Sequence, residues 1–184
     1  KGIIMSVNPT ISTKELEILA PALFTQEPHS DTSNKYYFIK TIDVIEEIKA
    51  NNWYPVSVKV SNVRDEEKEG FQQHCVRFRH FEDLLNPKDN AVELLLFNSH
   101  DRTKAFSISA GIFRFICANG LVLADSVFET YKIKHLGERD NDVANAVNQI
   151  TAIKDKLMNK INTLSNIKLS QLEKESFAKL SVPL

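Results

Sequence analysis

Glycine is scarce in this chain, with five residues in 184, and cysteine is scarcer still at two. So little glycine leaves no Gly-rich phosphate loop, and neither a G-x-S-x-G elbow nor an H-E-x-x-H helix occurs, so the standard enzyme signatures are absent. Cys75 and Cys117 form no CxxC pair and no Cys/His group at metal-ligand spacing, which predicts reduced, buried thiols and no metal. Long hydrophobic runs are also missing: Arg114 splits the best candidate well short of the roughly 18–20 residues that cross a bilayer, and no membrane association is expected. Nor is there an excess of one charge. Lys and Arg number 23 against 24 Asp and Glu, so no global field draws the molecule to nucleic acid, and any such surface has to be a local patch. The opening residues KGIIMS lack a signal-peptide apolar region, and a cytoplasmic location is expected.

What is present is enough apolar residue, 42% of the chain, for one proper core. Ser12 and Glu15 have capping-box spacing ahead of a helix over 13–20, and the polar stretch 27–34 reads as a surface loop with His29 solvated. Tyr36 to Ile39 reads as a strand, and Thr41 as the cap of a helix that carries Val44, Ile45 and Ile48. Period-two alternation marks strands at 53–63 and 71–81 around a charged loop, a short apolar strand at 92–97 and another at 104–110. Gly111 interrupts that pattern. Over 112–123 two readings stand: Asn119-Gly120 as a two-residue hairpin turn, or as the C-terminal end of a helix with Ile112, Phe113, Ile116 and Cys117 on one face. Alternation resumes at 127–136, with Tyr131, Ile133 and His135 on one face and Thr130, Lys132 and Lys134 on the other. From Asp140 the period is helical, through Val143, Val147, Ile150, Lys154, Leu157, Ile161 and Leu164, with Lys154 the one polar position, and Ser170 with Glu173 opens a last helix. The predicted class is α+β, a mostly antiparallel sheet with packed helices and a long C-terminal helix. Residues 1–139 form the core domain, and 140–184 a helical extension packed on or projecting from it.

Chemistry has few footholds here. Cys117 with His135 as its base is the sharpest catalytic pairing, but a small residue within FRFICANG reads better as packing, so no catalytic residue is assigned. His74, His80, His100 and Asp101 fit no metal-ligand frame, and no cofactor is expected. A basic sheet face is the alternative. Arg77 with Arg79, and Lys132 with Lys134, are each two apart and so point to one side of a strand, with His100, Arg102 and Lys104 near one rim and Phe78, Phe81 and Tyr131 as stacking aromatics. Against this stands the plain reading of a solvated face. The face of Val143, Val147, Ile150, Leu157, Ile161 and Leu164 serves either self-association or packing on the protein's own sheet. Arg114, Asn119 and His135 are the polar residues of the central stretch that packing does not explain, and they define a functional pocket to look for.

The run GIFRFICANGLVLADSVFETYKIKHLGE resembles a signature of phage/plasmid-like proteins of unknown function, domain of unknown function 932. It places Arg114, Phe115, Ile116, Cys117, Asn119 and Gly120 ahead of Lys134 and His135, within a resemblance that covers 53–155. The resemblance implies a mobile-element protein without an assigned activity. By that association the expectation is a non-enzymatic role in DNA transactions: single-strand binding, recombination or replication support. A protein-binding anti-defence or assembly module, and an enzyme of undetected type, are the alternatives.

Overall fold

A computed structural model of the chain describes residues 10–63, 65–86, 91–115 and 122–181. Helix α1 (Thr13–Leu19) opens with the capping box: the Glu15 N–H donates to the Ser12 hydroxyl at 3.3 Å and the Ser12 N–H donates to the Glu15 carboxylate at 2.7 Å. A 3-10 turn at Pro21–Phe24 leads to α2 (Thr41–Ala50), β1 (Trp53–Val60), β2 (His74–His80), the short α3 (Phe81–Leu85), β3 (Glu93–Asn98), β4 (Phe106–Phe115) and β5 (Val122–Ile133). Then come α4 (Asp140–Thr151), α5 (Lys154–Ser165) and α6 (Gln171–Ser181), the last preceded by the second capping box between Ser170 and Glu173.

The strands make one five-stranded sheet in the order β1-β2-β3-β4-β5, and every neighbouring pair is antiparallel, which confirms the α+β class. Alternation gives the sheet two chemically different faces. Trp53, Val76, Phe78, Leu94, Leu96, Phe106 and Ile108 point to one side. There they pack with Val44, Ile45 and Ile48 of α2, with Val143, Val147 and Ile150 of α4, and with Leu157 and Ile161 of α5 in a single apolar cluster. Pro55 sits inside β1, where its missing N–H is tolerated because β1 is an edge strand and the register shifts beside it.

Several local expectations are overturned by tertiary contacts. Tyr36 to Ile39 forms no strand and belongs to no sheet. Its polar groups go elsewhere: the Tyr37 N–H donates to the His135 carbonyl at 3.3 Å, and the Tyr37 carbonyl accepts from His135 Nδ1 at 2.8 Å. Lys40, not Thr41, holds the cap position of α2, because the Thr41 hydroxyl is committed to a buried network. Gly111 does not end a strand; it continues β4 at a register shift, a common place for strand glycine. Residues 112–115 are strand, paired with 122–126, so the helical reading fails there; 116–121, with Cys117, Asn119 and Gly120, lie outside the described residues.

The predicted long C-terminal helix is broken between α4 and α5. Two contacts account for the break. Trp53 Nε1 donates to the Thr151 carbonyl at 3.2 Å, and the Thr151 hydroxyl bonds back to the Val147 carbonyl at 2.8 Å, a habit that bends helices. Just past the break, Lys154 is 8% exposed, and its Nζ meets Glu82 Oε2 at 2.5 Å, His80 Nδ1 at 3.0 Å and Asp83 Oδ2 at 3.6 Å. Val143, Val147, Ile150, Leu157 and Ile161 are all buried against the protein's own core, so the face considered for self-association is already occupied by the chain itself. The side chain of Leu164 is outside the description.

Candidate nucleic-acid interface

Strand pairing decides which cations share a surface. On the side of the sheet away from α2 and α4, the register sets Lys59 beside Cys75, Cys75 beside Phe97, Phe97 beside Ser107 and Ser107 beside Lys132. This row crosses all five strands, which at about 4.8 Å per strand spans roughly 19 Å. Lys59 and Lys132 are exposed at its two ends. At its centre Lys104 Nζ stands over the Phe97 ring, 5.4 Å from the centroid, a cation–π contact that holds the ammonium above the sheet.

The next rows carry Arg77 and Arg79 on the same face, as their spacing predicted. Both, however, turn to one carboxylate. Glu93 is 2% exposed; its carboxylate lies 3.4 Å from Arg77 Nε and accepts from Arg79 Nε at 3.0 Å. The two guanidiniums are therefore half-neutralised and partly structural. The proposed stacking aromatics do not serve this face. Phe78 is fully buried in the core, and Tyr131 faces α4, where its hydroxyl donates to Gln149 Oε1 at 2.8 Å. Phe81 is exposed at the start of α3, beside Tyr54.

At the β5 end of the row the surface dips into a cavity of about 290 Å³ lined by Ser33, Tyr36, Arg102, Lys104, Lys134 and His135, among others. Four residues singled out from the sequence, Arg102, Lys104, Lys134 and His135, thus meet in one place. The loop that brings them together is tightly held. The Lys104 N–H donates to Ser99 Oγ at 2.9 Å, Tyr36 Oη donates to the Ser99 carbonyl at 3.0 Å, and the Thr103 N–H donates to Asp101 Oδ1 at 3.0 Å. Within that turn Arg102 adopts φ +61°, a left-handed conformation uncommon for a residue with a long side chain. His135 forms a wall, its ring stacked on Tyr36 at 4.7 Å and 15°. Its Nδ1 is used by Tyr37 and its Nε2 is sealed from solvent, and burial pushes its pKa down, so the ring is a neutral surface.

Arg114 is not part of this cavity. It pairs with Leu123 at one end of the β4–β5 hairpin, whereas Phe106 pairs with Ile133 at the other, an offset of eight residues along β4, or on the order of 25 Å.

Beneath the loop lies a buried polar core that the sequence disguised as a turn. Asn98, Ser99 and His100 are fully buried. His74 Nδ1 donates to the Gln72 carbonyl at 3.1 Å, which leaves its Nε2 to accept from the Thr41 hydroxyl at 2.8 Å; that oxygen in turn accepts from Asn98 Nδ2 at 3.0 Å. His100 Nε2 stands 3.4 Å from the same hydroxyl. Desolvation drives His74 to about 4 and His100 to about 3, the latter helped by its histidine neighbour. His29, read as solvated, is 5% exposed: the Asp31 N–H donates to its Nδ1 at 3.1 Å and its Nε2 donates to the Glu67 carbonyl at 3.2 Å, which ties two loops together over His100. His80 lies at the opposite end of β2 from His74, and among the described residues no group of three His, Cys, Asp or Glu is placed to hold a metal.

The sequence patterns do not mark Lys59, Phe97, Ser33 or Tyr36 as site residues. Lys59 had a usable signal, since it alternates with Val58 and Val60; Ser33 and Tyr36 had none, because only folding brings them to the 99–104 loop.

The fold and site together define an α+β domain whose antiparallel sheet is covered by helices on one face and carries a row of cations on the other. The chain belongs to the family described as Domain of unknown function (DUF932), whose model matches residues 28–184, further toward both ends than the central motif. It is 26% identical over 172 residues to UPF0380 protein YafZ of Escherichia coli (strain K12), and 26% identical over the same length to UPF0380 protein YfjQ of that organism. Each alignment covers 94% of this chain and 62% of the relative, so the chain spans about 62% of the length of these curated relatives. No solved structure matches it. Among the described residues no helix is long and apolar enough to cross a membrane.

Proposed function

We propose that the chain is a nucleic-acid-binding protein that takes a single strand along the row Lys59–Phe97–Lys132, with Lys104 and Lys134 beside it, in DNA transactions of a phage, plasmid or prophage element. The observation that carries this reading is the register, which lines these cations up on the face that the helices leave uncovered. Backbone phosphates need nothing more than such a row for sequence-independent affinity. One row across one flat sheet follows one backbone, which favours a single strand over a duplex. The mobile-element context rests on the resemblance of the 111–138 motif alone. Binding is preferred to catalysis because the one imidazole at the cavity turns both its nitrogens into the protein.

Fluorescence anisotropy with labelled single-stranded and duplex DNA at low salt tests the proposal. The wild-type chain should prefer the single strand, and Lys132→Glu with Lys134→Glu should weaken binding by about tenfold or more and flatten its salt dependence, since each phosphate contact contributes a slope of roughly 0.7. Unchanged affinity in that variant discards the interface.

A further inference from the structure

The cavity at the end of the row has a feature that a continuous strand does not require. Arg102, Lys104 and Lys134 all line it, and among the described residues no carboxylate is part of the lining. Asp101 lies next to Arg102 in the chain, but it is 6% exposed and its Oδ1 is occupied by the N–H and hydroxyl of Thr103, at 3.0 and 2.5 Å. Three basic residues around one small cavity make an anion its favoured occupant. An internal phosphodiester brings one negative charge, whereas a phosphomonoester brings about 1.5 to 2 and a third terminal oxygen to receive hydrogen bonds.

The cavity is also preorganised at some cost. Arg102 is held at φ +61°, a left-handed conformation that a non-glycine residue adopts only with strain, and such strain persists where the surroundings over-determine it. Here they do: the Asp101–Thr103 turn fixes one side, and Ser99 fixes the Lys104 backbone and Tyr36. Little backbone ordering is left for binding, which favours a compact ligand with defined geometry.

We infer that the cavity lined by Arg102, Lys104 and Lys134 is a phosphomonoester site, and that through it the chain recognises the phosphorylated end of the strand carried by the row. The inference rests on the nucleic-acid reading for the identity of the ligand, and on the cavity alone for its chemistry. Position agrees with chemistry. Lys134 follows Lys132 by one step of the same alternation, so a strand laid along the row runs into the cavity at the β5 edge, where the sheet ends.

Anisotropy with three oligonucleotides of one sequence, carrying a 5′-phosphate, a 3′-phosphate or hydroxyls at both ends, tests this directly, with inorganic phosphate as competitor. One phosphorylated oligonucleotide should bind about tenfold tighter than the hydroxyl-ended one, and millimolar inorganic phosphate should remove that advantage. Arg102→Gly should bring the ratio near one, whatever it does to hydroxyl-ended binding. This variant is suited to the purpose because glycine adopts φ +61° without penalty. Equal binding of all three oligonucleotides by the wild-type chain overturns end recognition and leaves the row intact. If no oligonucleotide binds, the row reading falls, and the cavity is judged by thermal unfolding in phosphate against chloride at matched ionic strength. A phosphate-specific rise in Tm that Arg102→Gly abolishes then supports a free phosphomonoester as the ligand, and no rise overturns the site.

Discussion

The buried histidines make acid the sharpest probe of this fold. In the unfolded chain His74 and His100 titrate near 6.5. In the folded protein, desolvation holds them at about 4 and about 3, with His74 and His100 only 1% and 0% exposed. Between those values protons bind to the unfolded chain alone. The stability these two residues allow is therefore complete above pH 6.5 and is lost progressively as the pH falls toward 4 and 3, at roughly 1.4 kcal/mol per pH unit for each histidine. From pH 7 to pH 5 the pair should cost on the order of 4 kcal/mol, a large part of the 5–15 kcal/mol typical of a domain. His80 and His135 are shifted down by burial too, and act in the same direction. Urea unfolding, followed by the fluorescence of the single, fully buried Trp53, should show a midpoint that drops steeply between pH 6.5 and 5, where carboxylates still contribute little. His74→Gln should start less stable at pH 7 yet fall with a shallower slope, by about one proton. A midpoint that is flat from pH 7 to 5, or a slope unchanged in His74→Gln, would refute the buried-network account.

Other substitutions test neighbouring parts of the structure. Glu93→Gln removes the carboxylate shared by Arg77 and Arg79 and should destabilise the protein by about 2–3 kcal/mol in thermal unfolding, yet raise single-strand affinity at low salt; reduced affinity in the folded variant would contradict the charge argument. Lys154→Met strands the Asp83 carboxylate, which is 2% exposed, and should cost about 3 kcal/mol or more, with Asp83→Asn added to it restoring part of the loss. Burial pushes the Cys75 thiol up to about 12, so native alkylation at pH 8, read peptide by peptide by mass spectrometry, should be about a thousandfold slower than in urea. Comparable rates would show that the half-buried thiol is not desolvated at its place in the row.

The sequence by itself determined the local periodicities, and these were sufficient for much of the fold. Alternation identified β1, β2 and the outer half of β5, and it put Arg77, Arg79 and Lys132 on the correct side of their strands, because which way a side chain points depends only on its parity along the strand. Both capping boxes were equally legible, since donor and acceptor lie three residues apart. The tertiary structure decided whatever depends on residues distant in the chain. The helical heptads run without interruption through Thr151, and Trp53, ninety-eight positions earlier, takes that carbonyl where the helix breaks. The turn at 98–103 carries Asn98, Ser99 and His100 into the interior, because His29 and Phe71, far off in the chain, bond to the His100 backbone. Arg77 and Arg79 looked like the heart of a basic patch until β3 brought Glu93 between them. Strand register, which no single strand encodes, moved the cationic surface to Lys59, Lys104 and Lys132 and gathered Arg102 and Lys134 around a cavity at its end.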